Sequence, residues 1–237
     1  MSTTAAGLEC VQLSAGHGSV TVIRDLSFCA PPRSVTAILG PNGAGKTTAL
    51  LTIAGLLKPH GGEIRLGRRR LPPGRPVSAN AAGVVLVPDD RALFNDLTIE
   101  EHLTLGTRRT GADPRCLFDV FPSLESRWHV RAGALSGGEQ QMLAMARGLA
   151  QDPSVLLIDE MSMGLAPVIV EALLPVVRAI ADERDAAVVI VEQHVRLALG
   201  VADHALVLVH GDVVLRGSAE VLADDIGALE RAYLGER

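Results

Sequence analysis

The sequence has few cysteines, no long hydrophobic run and no signal-peptide pattern in its first residues. The three cysteines, Cys10, Cys29 and Cys116, are odd in number and widely spaced, which favours free thiols in a reducing cytoplasm over a disulfide framework or a zinc site. No apolar run approaches the roughly 20 residues of a membrane-spanning helix. The first seven residues lack the cationic and apolar regions of a secretory signal. We therefore expect a soluble chain inside the cell.

The sequence also lacks a surplus of basic residues. Lys and Arg number 22 and Asp and Glu number 27, which gives a formal charge of −5. This balance argues against a nucleic-acid partner, because nucleic-acid-binding domains usually carry a basic surplus. A short arginine cluster at Arg68, Arg69, Arg70 and Arg75 is interpreted as a solvated turn.

The hydrophobic residues, 48% of the chain, are concentrated in short runs rich in Val, Ile and Leu, at residues 84–87, 155–158, 186–191 and 205–209. Runs of this kind, bounded by Gly, Pro or Asp, are typical of parallel strands buried on both faces. Their alternation with helical patterns predicts an α/β fold with a mainly parallel sheet. Strands are also expected at residues 8–13 and 20–28, with a turn at 14–18 between them, and a two-residue hairpin turn is expected at Gly211-Asp212.

A helical pattern interrupts this alternation between residues 89 and 150. Thr98 with Glu101, and Ser136 with Glu139, have the spacing of capping boxes at the starts of helices. We expect a single domain over residues 1–237, with a core at about 1–88 and 151–237 and a helical subdomain at about 89–150. A later helix, predicted over residues 167–183, contains Pro175, which predicts a kink.

One segment of the sequence fits the phosphate-binding pattern G-x-x-x-x-G-K-[ST]. It follows a buried strand at 35–39 and comprises Gly40, Pro41, Asn42, Gly43, Ala44, Gly45, Lys46, Thr47 and Thr48. Its glycines let backbone N–H groups turn inward around a triphosphate, and the helix that follows adds its positive end. We expect Lys46 to reach the β- and γ-phosphates and the Thr47 hydroxyl to bind Mg²⁺.

Two acidic residues, Asp159 and Glu160, end the strand at 155–158. Ligands bind at the carboxyl edge of open α/β sheets. Asp159 is therefore predicted to hold Mg²⁺, and Glu160 to act as general base on the water that attacks the γ-phosphate.

The stretch Leu-Ser-Gly-Gly-Glu-Gln-Gln at residues 135–141 gives the phosphate motif a narrower meaning. A helix cap alone does not explain Gly137 and Gly138 after Ser136, because two glycines lower helix propensity and leave room for something to approach. Together with the P-loop and Asp159-Glu160, this stretch makes the chain, from about residue 8 onward, resemble the ATP-binding subunit of an ABC transporter.

The resemblance implies a fold, two cofactors and several roles. The fold would be a P-loop NTPase core with a mainly parallel sheet, an N-terminal antiparallel β portion and an inserted helical subdomain, and the cofactors would be ATP and Mg²⁺. Ser136, Gly137 and Gly138 would bind the γ-phosphate of ATP held by an opposing subunit. His194 would match the family's switch histidine, contacting the γ-phosphate and orienting Glu160 or the water.

Three positions depart from the family pattern. His17 stands where an aromatic residue usually stacks on adenine, and is expected to take that role. Asp89 replaces the usual glutamine of a loop that senses Mg²⁺ and the membrane partner, and is expected to serve as a metal ligand that adds charge. Met161 replaces a proline after Glu160 and is expected to loosen the turn.

Segments such as residues 160–167 and 232–235 resemble the shorter ATPase subunit of branched-chain (hydrophobic) amino-acid importers. This resemblance implies a second ATPase subunit in a hetero- or homodimer, two membrane permeases, an extracytoplasmic solute-binding protein and a place on the inner face of the cell membrane. Importers of urea or amides, and ABC ATPases that work outside transport, remain alternatives.

Overall fold

The computed structural model describes residues 7–225, 227, 229 and 231; the terminal segment 232–235, which contributed to the subgroup resemblance, lies outside them. The strands are β1 Leu8–His17, β2 Val20–Ala30, β3 Ser34–Leu39, β4 Gly61–Leu66, β5 Arg69–Arg70, β6 Val84–Val87, β7 Val155–Asp159, β8 Ala187–Glu192, β9 His204–Val209 and β10 Asp212–Ser218. The α-helices are α1 Lys46–Ile53, α2 Pro76–Ala81, α3 Ile99–Thr107, α4 Gly137–Leu149, α5 Pro167–Arg184, α6 Val195–Leu199 and α7 Ala219–Asp224.

The central sheet has the strand order β10-β9-β3-β8-β7-β6. Its pairings are parallel except between β9 and β10. Every residue of β3, β7 and β8 is buried, because helices or the second sheet cover both faces, so the predicted Val/Ile/Leu-rich strands are confirmed. In register, Leu39 lies beside Glu192, and Asp159 beside Val191. The carboxyl ends of these strands therefore meet at one edge.

A second, antiparallel sheet has the order β2-β1-β4-β5. Its apolar residues, including Leu8, Leu13 and Ile23, share a buried cluster with α1 and with residues of the central sheet such as Ile38 and Leu157. The predicted antiparallel β portion is confirmed, and it packs over the helix that follows the phosphate loop.

Two turns differ from the prediction. The turn expected at residues 14–18 is shorter, because β1 continues to His17, which pairs with Val20 and leaves only Gly18 and Ser19 as the loop. The turn expected at Gly211-Asp212 lies one residue earlier, at His210-Gly211. Both of these residues have positive φ, 50° and 87°, as a two-residue type I′ hairpin requires.

The segment between β6 and β7 is helical, as predicted. It contains α3, α4 and the short 3₁₀ segments Pro114–Asp119, Pro122–Arg127 and Ala132–Ala134. Both capping boxes form, at Thr98 and at Ser136. Side chains of this segment, such as Leu103 and Phe121, belong to the same buried cluster as Val85 and Ile158 of the sheet. The helical segment thus packs against one face of the core.

The helix α5 runs through Pro175 without interruption, whereas α6 ends at Leu199, earlier than the predicted 202. Among the described residues, none of the helices combines the length and the apolar character that crossing a bilayer requires. Cys10 is buried, and Cys29 and Cys116 are exposed; all three are free thiols.

Candidate functional site

The loop between β3 and α1 has the shape that its glycines permit. Gly45 has a φ of 104°, and a Cβ at this position would lie 2.6 Å from Cγ2 of Ile23 on β2. Only glycine fits both the backbone angle and the space. Gly45 is also the N-cap of α1 and makes no side-chain cap hydrogen bond. The first N–H groups of α1 thus remain available for an anion.

Lys46 is nearly buried, with 4% of its surface exposed. Its Nζ donates to the carbonyl oxygens of Gly40, at 2.9 Å, and Pro41, at 3.2 Å. It also lies 3.5 Å from Oε1 of Glu160, whose side chain is 13% exposed. A buried ammonium needs such oxygen partners, because desolvation without them is costly.

A cavity of about 370 Å³ lies beside this loop. It brings together most of the predicted ATP-site residues with the predicted base, and it is lined by His17, Val22, Asn42, Gly43, Gly45, Lys46, Thr47, Thr48 and Glu160. His17 lies at the end of β1 and is exposed. Its ring is at the mouth of the cavity, where it could cover a nucleotide base. Ala44 is buried, and its N–H donates to the Pro41 carbonyl, which closes the loop.

Three predicted metal ligands are near one another. Asp159 ends β7 and is buried, and its pKa is raised to about 6. Burial is the main cause; the Thr47 hydroxyl opposes the shift, while the charges of Asp89 and Glu160 add to it. Asp89 itself is exposed.

The Asp159 site fits a Mg²⁺ ion. Its Oδ1 is buried and has no hydrogen-bond partner in the described structure, and an orphaned carboxylate oxygen beside a hydroxyl suits a hard cation. The described residues contain no group of three or more His, Cys, Asp or Glu side chains that could hold a metal by themselves.

The structure places Gln193, and not His194, against Glu160. Nε2 of Gln193 donates to both carboxylate oxygens of Glu160, at 3.0 and 3.1 Å. His194 is the N-cap of α6, is exposed, and does not line the cavity. Gln193 is therefore the residue of this pair that contacts the Glu160 carboxylate, because successive residues at the end of β8 point in different directions. The sequence offered a signal in Gln193, the amide next to the histidine.

Ser136, Gly137 and Gly138, which are predicted to bind the ATP of an opposing subunit, lie apart from this cavity, at the start of α4. The Ser136 hydroxyl accepts from the Glu139 N–H at 3.3 Å, and the Glu139 carboxylate accepts from the Ser136 N–H at 2.8 Å. A Cβ at Gly138 would lie 2.9 Å from Cγ2 of Ile169 on α5, so close packing within the chain requires this glycine. A Cβ at Gly137 would lie 3.6 Å from its nearest neighbour. The space for an approaching group that the two glycines predicted is therefore open only at Gly137, which is exposed.

Sequence reasoning also missed a connection between the Asp89 loop and α4. Arg91, with a φ of 63°, donates to Gln140 and Gln141 on α4. Arg147 on α4 donates back to the carbonyl oxygens of Arg91 and Ala92. These contacts fasten the loop that carries Asp89 to the helix that Ser136 caps.

Comparison with known proteins agrees with this geometry. A sequence profile described as "ABC transporter" matches residues 23–163. The high-affinity branched-chain amino acid transport ATP-binding protein BraG of Pseudomonas aeruginosa is 35% identical over 94% of this chain and 97% of its own length. The probable branched-chain amino acid transport ATP-binding protein LivF of Archaeoglobus fulgidus is 33% identical over 92% and 94%.

A relative named for a different function also matches over most of its length. The lipopolysaccharide export system ATP-binding protein LptB of Acidithiobacillus ferridurans is 30% identical over 97% of both chains. Among solved structures, an ATP-binding subunit of an ABC transporter superposes with a TM-score of 0.81 at 27% identity, covering 96% of this chain and 98% of that one. This chain therefore belongs to the ABC transporter family of ATP-binding proteins and is an ATPase.

Proposed function

We propose that this protein is the ATP-hydrolysing subunit of an ABC importer for branched-chain or related hydrophobic amino acids. The observation that carries the chemistry is the placement of Lys46 and Glu160 3.5 Å apart in the phosphate-loop cavity. The solute class rests on the two relatives named for branched-chain amino acid transport, which match over nearly the whole chain.

The phosphate loop supplies the positive charge that a triphosphate needs. The free N–H groups at the start of α1 and the Lys46 ammonium would hold the β- and γ-phosphates. Thr47 and Asp159 would hold Mg²⁺, with Asp89 adding negative charge nearby. When bound, the ion neutralises charge that develops on the transferred phosphoryl group. His17 would cover the adenine at the mouth of the cavity.

Glu160 is the proposed general base. Its carboxylate faces the cavity and is held by the Gln193 amide, and a base must be positioned before its proton affinity matters. The amide donates to both oxygens, so it limits rotation of the carboxylate without taking its proton-accepting role.

Ser136, Gly137 and Gly138 are proposed to complete the ATP site of a second ATPase subunit. They cap α4 on the helical segment, while Lys46 lies on the core, so one chain presents two half-sites. The partner complex would add two membrane permeases and an extracytoplasmic solute-binding protein, with this chain attached to the inner face of the membrane. No nucleic-acid partner is proposed.

Glu160→Gln is expected to keep ATP binding and to lower turnover by roughly 10²–10⁴-fold, because the amide cannot accept a proton. Steady-state ATP hydrolysis and calorimetric ATP binding on the same preparation measure the two effects. Glu171→Gln on the exposed face of α5 is the matched control and is expected to behave like the unmodified chain. Turnover of Glu160→Gln at the unmodified rate would remove Glu160 from the role of base.

Gln193→Ala is expected to lower kcat by roughly 10-fold or more with KM for ATP unchanged, since a misplaced catalytic group can cost up to 10²-fold. His194→Ala is the neighbouring control and is expected to keep kcat within about 2-fold, because its side chain is exposed and away from the cavity. Steady-state kinetics of both variants settle the assignment. A large kcat loss in His194→Ala with none in Gln193→Ala would restore the histidine to the switch role.

The transport proposal is tested by co-expressing the chain with candidate permeases and measuring uptake into proteoliposomes. We expect uptake of leucine, isoleucine or valine that requires ATP and is abolished by Glu160→Gln. Uptake of urea or amides alone would support the related importer. Outward transport, or full ATPase activity with no permease captured, would contradict the importer proposal while leaving the ATPase assignment intact.

A further inference from the structure

Glu192, the last residue of β8, is a carboxylate that the proposed chemistry does not use. It is 3% exposed. Its Oε1 accepts the Ser162 backbone N–H at 3.0 Å, and its Oε2 accepts the Ser162 hydroxyl at 2.6 Å. No ion pair between Glu192 and a Lys, Arg or His appears in the described part of the chain. Burying a carboxylate without a cation is costly, so a purely stabilising role is poorly served by this choice of residue.

Ser162 belongs to the loop that carries Glu160. Glu160 has a φ of 43°, a left-handed conformation that is strained for a non-glycine residue and persists only where the surroundings enforce it. The Glu160 N–H donates to the Val191 carbonyl at 2.9 Å. The end of β8 therefore holds this loop at Glu160 and again two residues later, at Ser162.

Other contacts restrain the loop from Glu160 to Leu165. Met161 is 1% exposed and lies in the buried cluster that also contains Ile158. The Met163 N–H donates to the Glu160 carbonyl at 3.1 Å, and the Leu165 N–H donates to the Ser162 carbonyl at 3.3 Å. Displacing Ser162 would therefore shift Glu160 as well.

The same loop reaches the start of α4. A Cβ at Gly137 would lie 3.6 Å from Cδ2 of Leu165, so the Leu165 side chain borders the open face of that glycine. A shift of Ser162 would therefore move Glu160 on one side of the loop and the Leu165 side chain beside Gly137 on the other.

We propose that Glu192 is a positioning residue for Glu160 and acts through Ser162. The two hydrogen bonds from Ser162 fix the strained loop so that the Glu160 carboxylate stays in the cavity within reach of the Gln193 amide. This inference rests on the proposed role of Glu160 as base, and it assigns to Glu192 no contact with substrate.

Two substitutions at Glu192 separate hydrogen bonding from size. Glu192→Met keeps the approximate volume and removes both acceptors, and is expected to lower kcat for ATP hydrolysis by about 10-fold or more with KM unchanged. Glu192→Gln keeps one acceptor and can donate to the Ser162 hydroxyl, so it is expected to retain kcat within about 3-fold. Steady-state kinetics, ATP binding by calorimetry and thermal melting are measured on each variant.

Ser162→Ala tests the same contact from the other side without adding bulk, and serves if Glu192→Met does not fold. It removes the hydroxyl hydrogen bond and leaves the backbone N–H bond to Glu192, so it is expected to lower kcat by about 3-fold or more but by less than Glu192→Met. The double variant is expected to lose no more than about 2-fold beyond Glu192→Met, because Glu192→Met already removes both acceptors. Full kcat in Ser162→Ala, or a kcat loss accompanied by an equal loss of ATP affinity, would overturn the proposal.

The Glu160→Gln background distinguishes the two hypotheses. If Glu192 acts through Glu160, adding Glu192→Met to Glu160→Gln is expected to leave the residual turnover unchanged within about 2-fold. A further 10-fold loss in that background would contradict positioning of Glu160. Turnover at the unmodified rate in Glu160→Gln alone would instead overturn the base assignment, and the positioning proposal with it. Full activity in Ser162→Ala beside an inactive Glu160→Gln overturns positioning alone.

Discussion

The burial of the Lys46 ammonium is the constraint on which the arrangement of the site depends. A cation that is 4% exposed needs oxygen atoms around it, and the chain provides the Gly40 and Pro41 carbonyls and the Glu160 carboxylate. The two carbonyls are available only because the phosphate loop curls around the lysine. The carboxylate is available only because β7 ends beside β8, and β8 beside β3, at the same edge. One charge thus ties the loop geometry to the strand order of the sheet.

The sheet edge and the helical segment contribute different parts of the chemistry. The edge gathers the phosphate loop, Asp159 and Glu160, and Gln193, which follows β8, restrains the Glu160 carboxylate. The helical segment presents the Ser136 cap away from that cavity, yet Arg91 and Arg147 fasten the Asp89 loop to α4. A movement of the Asp89 loop would therefore also move α4. This arrangement suits a site completed by a second subunit.

Much of the fold was predictable because its signals are local. Buried parallel strands appear as short Val/Ile/Leu runs, capping boxes have a fixed spacing, and the phosphate loop has glycines where only glycine fits. The departures depend on contacts between distant segments. β1 runs on to His17 because it pairs with β2, and Gly138 is required by Ile169 on another helix. Gln193 was missed because a one-residue step at a strand end changes which side chain reaches Glu160. The buried Glu192–Ser162 pair joins residues 30 positions apart and carries no motif.

A complete ATP site is proposed to combine the Lys46 loop of one chain with the Ser136 loop of a second copy. This proposal is tested most directly by mixing Lys46→Ala chains with Ser136→Arg chains at a concentration at which the unmodified chain hydrolyses ATP. A pair formed from one chain of each variant contains one site that combines the intact Lys46 loop of one chain with the intact Ser136 loop of the other. If the site is shared between two chains, ATPase activity in the mixture is expected to be well above the sum of the activities of the two variants measured separately. Activity equal to that sum would contradict it.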